Sequence, residues 1–336
     1  MRNIFTNKII LITGGTGTIG SELVRQVITH APKQVRIFSR DETRQYELQQ
    51  ALPEDAPVRF LVGDIRDHAR LNIAMRGVDI VLHAAAMKHV PYCEYNPYEA
   101  VKTNIIGTQN IIELAVLHKV ERVVGISTDK APNPKNVLGV SKLMMEKLLT
   151  NANFTFGQTA TEDGFEPTRF ACVRFGNIAW SRGSVLPLWQ KQAATHGTIS
   201  ITDPKMTRFF ISQQEAIALV LDATELMRGG EVFVLKMPAI ALGDLARAYI
   251  EKYHPNKKVR IIRGKNRGSE KKHEELLLAD DPGEVYEGKG MLIFLPHMNI
   301  PGLTRHQFNY QGFKRRKSYT YSSNKNIKKN AVKKII

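Results

Sequence analysis

"LITGGTGTIGSEL", residues 11–23, is the stretch that decides the fold of this chain, and its glycines have the spacing G-x-x-G-x-x-G. An apolar, strand-like run precedes the glycines and a helical pattern follows them. In that context Gly14 permits a tight turn, Gly17 lets the backbone approach a pyrophosphate, and Gly20 lets the helix pack on the strand. The N–H groups of the helix N-terminus would face the anion. The stretch therefore predicts a dinucleotide-binding turn, with a purely structural glycine turn as the alternative. Its predicted cofactor-binding residues are Gly14, Thr16, Gly17, Thr18, Ile19 and Gly20.

Short β-rich runs alternate with helical patterns through the first half of the chain. Strands separated by helices of this length imply right-handed crossovers and a parallel sheet covered on both faces. The near-continuous apolar character of the runs agrees with such burial. The sequence predicts an α/β fold, a Rossmann-type doubly wound parallel sheet. The expected strands are 8–13, 34–38, 58–62, 78–82, 121–126 and 169–174, and the main expected helices are 18–29, 97–117 and 138–151.

The rhythm breaks after residue 175, which divides the chain into three expected parts. A dinucleotide-binding domain covers 1–175, and 208–236 return to it. Residues 176–207 and 237–312 form a smaller C-terminal α+β substrate-binding portion. The tail, 313–336, is expected to be disordered, because it has nine lysines and arginines, no acidic residue and few core-forming side chains. A contact of this basic tail with an anionic membrane surface or nucleic acid is the alternative.

Composition restricts the class of protein. The 336 residues are 43% hydrophobic and 24% charged, with a net charge of +16, which is typical of a globular protein. No apolar run approaches the roughly 20 residues that cross a bilayer, and no cleavable leader is visible. The two cysteines, Cys93 and Cys172, are expected to be free thiols, so we expect a cytoplasmic protein. No histidine or cysteine cluster has metal-ligand spacing, so the sequence predicts no metal.

The end of the second strand, IFSRDETRQ, bears on the cofactor. Ser39 and Arg40 stand where an acidic residue usually binds the ribose of NAD. A guanidinium beside a hydroxyl suits a 2′-phosphate, so NADP is expected, and Asp41 keeps NAD possible. Four further cofactor-binding residues are predicted after the third and fourth strands, in VGDIRD and HAAAMKH: Asp64, Ile65, Ala84 and Ala85.

A series of motifs over about residues 5–280 resembles the extended short-chain dehydrogenase/reductase family. More narrowly, it resembles the bacterial nucleotide-sugar branch that includes the inverting UDP-N-acetylglucosamine 4,6-dehydratases. The motifs occur in order along the chain, which makes them more specific than the glycine turn alone. They are TGGTGTIG, FSRDE, GDIRD, AAAMKHVPYCEYNP, KTNIIGTQN, STDKAPNPKNVLGVSK, RFGNIAWSRGSVLPL, ITDPKMTRFF and RGSEKKHEEL.

The resemblance implies a reaction and four catalytic residues. A hydride leaves sugar C4, water is eliminated across C5 and C6, and the hydride returns to C6. Lys130 would remove the C5 proton and Asp129 would protonate the departing hydroxyl. Thr128 would bond the C4 oxygen, and Lys142 the nicotinamide ribose. Burial favours a protonated Asp129 and a neutral Lys130, whereas pairing between them opposes this.

The sequence departs from the family at position 138. Most members carry a tyrosine there, whose phenolate takes the O4 proton, and this chain has Leu138. Some dehydratases of the branch carry methionine at that position. Deprotonation of O4 would then fall to Asp129, Lys130 or a water. A catalytically silent dinucleotide-binding protein and a UDP-sugar 4-epimerase remain alternatives to the dehydratase.

The substrate expected from the resemblance is a UDP-linked amino sugar. Asn177 suits a sugar or phosphate oxygen, and Arg208 is expected near the diphosphate. In the family, helices corresponding to 97–117 and 138–151 pair in a dimer, so a homo-oligomer is expected, and no nucleic-acid module is visible in the body of the chain. The predicted substrate-binding residues are Lys88, Asn177, Arg182, Ser184, Val185, Arg208, Arg267 and Glu270.

Overall fold

The structure is a computed structural model that describes residues 4–156, 166–264, 268–297 and 310–336. The strands in these ranges are β1 Ile9–Thr13, β2 Gln34–Ser39, β3 Val58–Val62, β4 Ile80–His83, β5 Arg122–Ile126, β6 Arg169–Arg174, β7 Asn177–Ile178, β8 Thr198–Ile201, β9 Thr207–Ile211, β10 Val232–Leu235, β11 Ala239–Ala241, β12 Arg260–Arg263, β13 Glu275–Leu277, β14 Gly283–Glu287, β15 Met291–Pro296, β16 Lys314–Arg316 and β17 Tyr321–Ser322.

The described ranges contain eleven α-helices, and two short 3₁₀ segments, Ser323–Lys325 and Lys329–Ala331, lie near the end of the chain. The α-helices are α1 Thr18–Ile28, α2 Glu42–Gln50, α3 His68–Met75, α4 Val90–Tyr95, α5 Pro97–Ala100, α6 Gly107–Leu117, α7 Val137–Thr155, α8 Val185–His196, α9 Gln213–Leu226, α10 Leu242–Tyr253 and α11 Val332–Ile335. A π-helical segment, Val101–Ile106, joins α5 to α6. Among these helices, none is both long and apolar enough to cross a bilayer.

The main sheet confirms the predicted α/β fold. Its strand order is β16-β14-β15-β10-β6-β5-β4-β1-β2-β3. The strands from β3 to β10 in this order pair in parallel. The side chains of the inner strands are mostly apolar and buried, as in β1, where Ile10, Leu11 and Ile12 are fully buried, because helices cover both faces. The antiparallel strands β15, β14 and β16 extend this sheet and were not expected from the sequence.

The order of the strands positions a crevice. The chain runs from β1 outward through β2 and β3, and then returns to place β4 on the other side of β1. In doubly wound sheets the ligand binds beyond the carboxyl ends of the strands where the order reverses. The loops after β1, β4 and β5 meet at this point.

A second, smaller core lies under the elements that follow residue 176. It includes Trp189 of α8, Phe210 of β9 and Tyr249 of α10, each nearly fully buried. The three-stranded sheet β11-β9-β7 and the pair β12-β8 border it. The chain therefore builds a second group of packed elements beside the main sheet.

The expectation of a disordered tail is wrong. β16 pairs with β14 at the edge of the main sheet, and β17 pairs with β13. Tyr321 stacks on Phe209 with ring centroids 5.4 Å apart, and its hydroxyl donates to the Met237 carbonyl oxygen at 2.9 Å. Val332 and Ile335 of α11 are buried in the smaller core. The few apolar side chains of the segment are spaced so that they reach these two surfaces.

Part of the basic charge of this segment is paired. Arg315 forms an ion pair with Glu284, and Arg316 with Glu287, both at 2.6 Å. Glu287 also contacts Lys236 at 2.6 Å. The hydrogen bond from Lys236 is the largest of the effects that lower the pKa of Glu287. Although burial acts in the opposite direction, these cationic partners lower that pKa to about 2. The charge composition of the tail does not reveal these ion pairs, because the acidic partners belong to β14 and not to the tail.

Candidate active site

A cleft of about 1090 Å³ lies at the carboxyl ends of β1, β4 and β5. It brings together every residue that the sequence assigned to the cofactor. These lining residues are Gly14, Thr16, Gly17, Thr18, Ile19, Gly20, Ser39, Arg40, Asp64, Ile65, Ala84, Ala85 and Lys142.

The glycine turn at one end of the cleft leaves no room for a side chain at Gly14 or Gly20. A Cβ on Gly14, whose φ is +65°, would lie 2.8 Å from the backbone N of Ala85, and one on Gly20 would lie 2.2 Å from the Gly14 carbonyl oxygen. A Cβ on Gly17 would meet only that oxygen, at 3.2 Å. Gly17 is also the N-cap of α1, so the first amide groups of the helix face the cleft without a capping side chain.

Two arginines border the cleft near the end of β2. Arg40 is 64% exposed, with Nη1 3.8 Å from Asp64 Oδ2. Arg44, which the sequence analysis did not single out, also lines the cleft. Asp41 caps α2 by accepting from the Arg44 amide at 3.0 Å. Asp64 accepts from Arg66 Nη2 at 2.7 Å; although burial raises the pKa of Asp64, this partner lowers it below its ordinary value.

The loop after β5 carries the predicted catalytic residues. Lys130 Nζ donates to Asp129 Oδ1 at 2.8 Å, and Thr128 Oγ1 donates to the same oxygen at 3.1 Å. Thr128 and Lys130 line the cleft. Asp129 is fully buried, and its Oδ2 has no hydrogen-bond partner in the described part of the chain. Asp129 therefore does not line the cleft itself but contacts two residues that do, Thr128 and Lys130.

Glu274 is a second carboxylate beside Lys130 that sequence reasoning missed. Its Oε1 lies 3.8 Å from Lys130 Nζ and 3.7 Å from Arg208 Nε. Burial would lower the pKa of Lys130, but Asp129 and Glu274 outweigh it and raise the pKa above its ordinary value. Burial acts on Lys130 in the expected direction, but the opposing effect of pairing, which the sequence analysis also named, dominates in this resting arrangement. Glu274 lies in the quoted motif RGSEKKHEEL, but nothing in that pattern distinguishes it from its charged neighbours.

Lys142 and Leu138 lie on the same face of α7 and both line the cleft. Lys142 Nζ donates to the Ile126 carbonyl oxygen at 2.7 Å, and burial lowers its pKa to about 8. Leu138 is 5% exposed and packs with Cys93 and Ala100 in a small apolar cluster. The position at which the family carries a tyrosine is thus occupied by a leucine that packs in this apolar cluster.

Some predicted substrate residues line the cleft as well. They are Lys88, Asn177, Arg182 and Ser184. Lys88 Nζ donates to the Arg182 carbonyl oxygen at 2.9 Å. Ser184 Oγ is buried without a hydrogen-bond partner among the described residues, and so is Ser127 Oγ, which the sequence analysis did not name. Both hydroxyls are free to bond a ligand in the cleft.

Other predicted substrate residues lie elsewhere. Val185 begins α8 and packs against the smaller core. Arg208 is 6% exposed and does not line the cleft; its Nη2 donates to Glu270 Oε1 at 2.8 Å and to the Lys271 carbonyl oxygen at 2.8 Å. Glu270 lines a second pocket of about 640 Å³. Arg267 lies outside the described residues.

Comparisons with known proteins agree with the dinucleotide-binding cleft described above. A family model described as "Polysaccharide biosynthesis protein" matches residues 10–294. The chain therefore belongs to this family, and the resemblance to the nucleotide-sugar branch of the extended short-chain dehydrogenases/reductases is confirmed.

Relatives of this chain include two kinds of enzyme. A UDP-N-acetylglucosamine 4,6-dehydratase (inverting) of Campylobacter jejuni is 39% identical over 96% of this chain and 94% of its own length. A UDP-glucose 4-epimerase of Rickettsia canadensis is 40% identical over 83% of this chain and 80% of its own length. The X-ray structure of Pen from Bacillus thuringiensis has a TM-score of 0.88 and 40% identity, covering 99% of this chain and 98% of that one.

Proposed function

We propose that this protein is an NADP-dependent UDP-N-acetylglucosamine 4,6-dehydratase. The observation that carries the proposal is the contact of Lys130 with Asp129 at the end of β5, where Lys130 faces the cleft. An amine beside a carboxylate provides the base and the acid that elimination of water requires. The similarity to the Campylobacter enzyme over nearly the whole chain supports the same reaction.

The residues of the cleft fit a nicotinamide dinucleotide. Gly14 and Gly20 have no space for a Cβ, and the amide groups at the start of α1 are available to a pyrophosphate. When bound, the cofactor accepts a hydride from the sugar and returns it. Arg40 and Arg44 both line the cleft, whereas Asp41 is engaged at the start of α2. Two guanidinium groups in this place support a 2′-phosphate and hence NADP.

Two proton circuits account for the chemistry without a tyrosine at position 138. In the first, the C4 hydroxyl passes its proton through the Thr128 hydroxyl to Asp129, along the 3.1 Å contact between them. Because Asp129 itself does not line the cleft, it returns this proton through the Thr128 hydroxyl to the C6 hydroxyl, which leaves as water. In the second, neutral Lys130 takes the proton from C5 and a proton is returned to C5. Protonation of Asp129 removes one negative partner of Lys130, and this favours the neutral amine.

A 4-epimerase is the second candidate, and the Rickettsia relative favours it. An epimerase would use only the first step of the first circuit, in which Asp129 takes the proton from O4; Asp129 would then return this proton to O4, and the C6 oxygen would stay in place. A catalytically silent dinucleotide-binding protein would use neither circuit, and Leu138 is the feature that favours it.

One assay distinguishes the three candidates. The protein is incubated in D₂O with UDP-N-acetylglucosamine or with UDP-glucose, and the products are analysed by mass spectrometry and NMR. We expect a product that has lost water and carries deuterium at C5. A product that retains the C6 oxygen and has the opposite configuration at C4 would indicate the epimerase. Recovery of unaltered substrate would refute both the dehydratase and the epimerase activity.

A variant assigns the base. Lys130→Met is expected to lower kcat by a factor of at least about 100, as for loss of a general base, while the affinity for the dinucleotide stays the same. Lys191→Met, a change at an exposed lysine of α8 that does not line the cleft, is the matched control and keeps full activity. Substantial turnover by Lys130→Met would remove Lys130 from the reaction.

We also propose that the protein is a homo-oligomer. Apolar and aromatic side chains along the segment 97–117 and α7 are exposed, among them Tyr98 at 68% and Val140 at 54%. An exposed apolar surface of this kind supports contact with another chain.

A further inference from the structure

Glu274 and the C-terminal segment form a support behind Lys130. The Glu274 side chain does not line the cleft, is 2% exposed, and has an Oε2 without a hydrogen-bond partner among the described residues. Its Oε1 lies 3.8 Å from Lys130 Nζ. We propose that Glu274 is a positioning residue that sets the orientation and protonation of Lys130, and that Ser323 holds Glu274 in place. The inference rests on the proposed function, in which Lys130 is the base.

The backbone of Glu274 is fixed by Ser323. The Glu274 amide donates to Ser323 Oγ at 2.8 Å, and the Ser323 amide donates to the Glu274 carbonyl oxygen at 2.8 Å. Ser323 is fully buried, and its Oγ lies 2.6 Å from Thr207 Oγ1. The pairing of β17 with β13 continues this contact, with Ser322 opposite Glu275. The segment that the sequence predicted to be disordered is therefore part of the wall behind the candidate base.

The charges around Glu274 explain its effect. The groups that face it are Lys130, Asp129, Arg208 and Lys271. Burial raises the pKa of Glu274, Asp129 acts in the same direction, and the three cations oppose them. When Glu274 is ionised, it and Asp129 together hold the ammonium form of Lys130 in a fixed position. Loss of the Glu274 charge would leave Asp129 as the nearest anion and make Lys130 easier to deprotonate.

The test compares two substitutions of one side chain. Glu274→Gln keeps the shape and removes the charge, whereas Glu274→Asp keeps the charge. In dehydration of UDP-N-acetylglucosamine, we expect the limb of kcat against pH that reports neutral Lys130 to move about one to two pH units lower in Glu274→Gln. The KM for the sugar nucleotide stays the same, because Glu274 does not line the cleft. In Glu274→Asp the limb stays near that of the unchanged protein.

Two further variants show whether the effect belongs to this carboxylate. Glu275→Gln, at the next residue, is the matched control and leaves the limb unmoved. Ser323→Ala is expected to lower kcat with little change in KM, because Glu274 is no longer fixed. If Glu274→Gln lowers only the melting temperature and the limb does not move, Glu274 has a structural role and the inference is overturned.

A readout without substrate separates this inference from the proposed function. Lys130 is 22% exposed, so an amine-reactive reagent can label it, and peptide mass spectrometry gives the pH midpoint of labelling. We expect the midpoint to fall in Glu274→Gln and to stay constant in Glu275→Gln. A midpoint that is the same in both would refute the positioning role. A shifted midpoint in a protein that leaves both sugar nucleotides unaltered would refute the proposed function alone.

Discussion

Replacement of Lys142 by methionine is expected to stabilise the protein in a pH-dependent way. Lys142 is 6% exposed on α7, and burial lowers its pKa from 10.5 to about 8. At 1.36 kcal/mol for each pKa unit, the charged Lys142 therefore disfavours the folded state by about 3 kcal/mol at pH 7. The variant loses the hydrogen bond to the Ile126 carbonyl oxygen, which costs about 1 kcal/mol. Lys142→Met is thus expected to be about 2 kcal/mol more stable at pH 7.

The sign of the pH dependence follows from proton binding. Between the two pKa values the unfolded chain binds more protons at Lys142 than the folded chain, so the stability of the unchanged protein rises with pH there. By pH 9.5 the destabilisation falls to roughly 1.4 kcal/mol, and the advantage of the variant is reduced to about 0.5 kcal/mol or less.

Urea unfolding followed by the fluorescence of Trp180 and Trp189 measures these free energies at both pH values. Lys191→Met, at an exposed position of α8, is the control and should show no pH-dependent difference from the unchanged protein. The reasoning fails if Lys142→Met differs from the unchanged protein by the same amount at pH 7 and pH 9.5, or is less stable at pH 7.

Two further predictions concern the cleft. Gly20→Ala places a Cβ 2.2 Å from the Gly14 carbonyl oxygen. We therefore expect the free energy of unfolding to fall by about 1–3 kcal/mol, and we expect dinucleotide binding to be lost. Gly290→Ala, with open space around it, is the control, and equal behaviour of the two variants in thermal unfolding and nucleotide titration would contradict the close packing. Joint replacement of Arg40 and Arg44 by alanine is expected to weaken NADP binding at least tenfold and to leave NAD binding nearly unchanged, as measured by fluorescence titration; an equal loss for both nucleotides would remove the 2′-phosphate assignment.

The sequence predicted the parallel part of the sheet because each of its strands carries a local signal. Runs such as 8–13 and 121–126 contain the apolar stretches IILI and VVGI, and the glycine turn fixes the first crossover. The outermost strand of the antiparallel extension had no such signal, since β16 (Lys314–Arg316) consists of three basic residues; β15 (Met291–Pro296) does carry an apolar run. β16 pairs because Glu284 and Glu287 of β14 supply the opposite charge. Residues distant in sequence decide that pairing, and a local reading cannot show them.

In the candidate site, too, the positions of the residues placed by a local sequence signal were predicted correctly, whereas contacts that depend on residues distant in sequence were not. Residues that belong to a loop after one strand, such as Thr128 and Lys130, were predicted together and do lie together. Arg208 was assigned to the diphosphate by its charge, but its guanidinium is satisfied by Glu270 and backbone carbonyls. A sequence reveals which side chains carry charge, whereas the partner that uses the charge depends on packing.

The absence of a phenol at position 138 and the presence of Glu274 are consistent with each other. A tyrosinate would take the O4 proton and leave the Asp129 and Lys130 pair to the elimination alone. With Leu138 in its place, the proposed mechanism assigns the proton from O4 to Asp129 as well, and it requires Lys130 to remain in position while the charge on Asp129 changes. A second carboxylate at 3.8 Å, held by Ser323 and outside the lining of the cleft, would supply, when ionised, a negative charge that does not depend on the proton held by Asp129. The site can therefore keep its base oriented at the moment when its first partner is neutral.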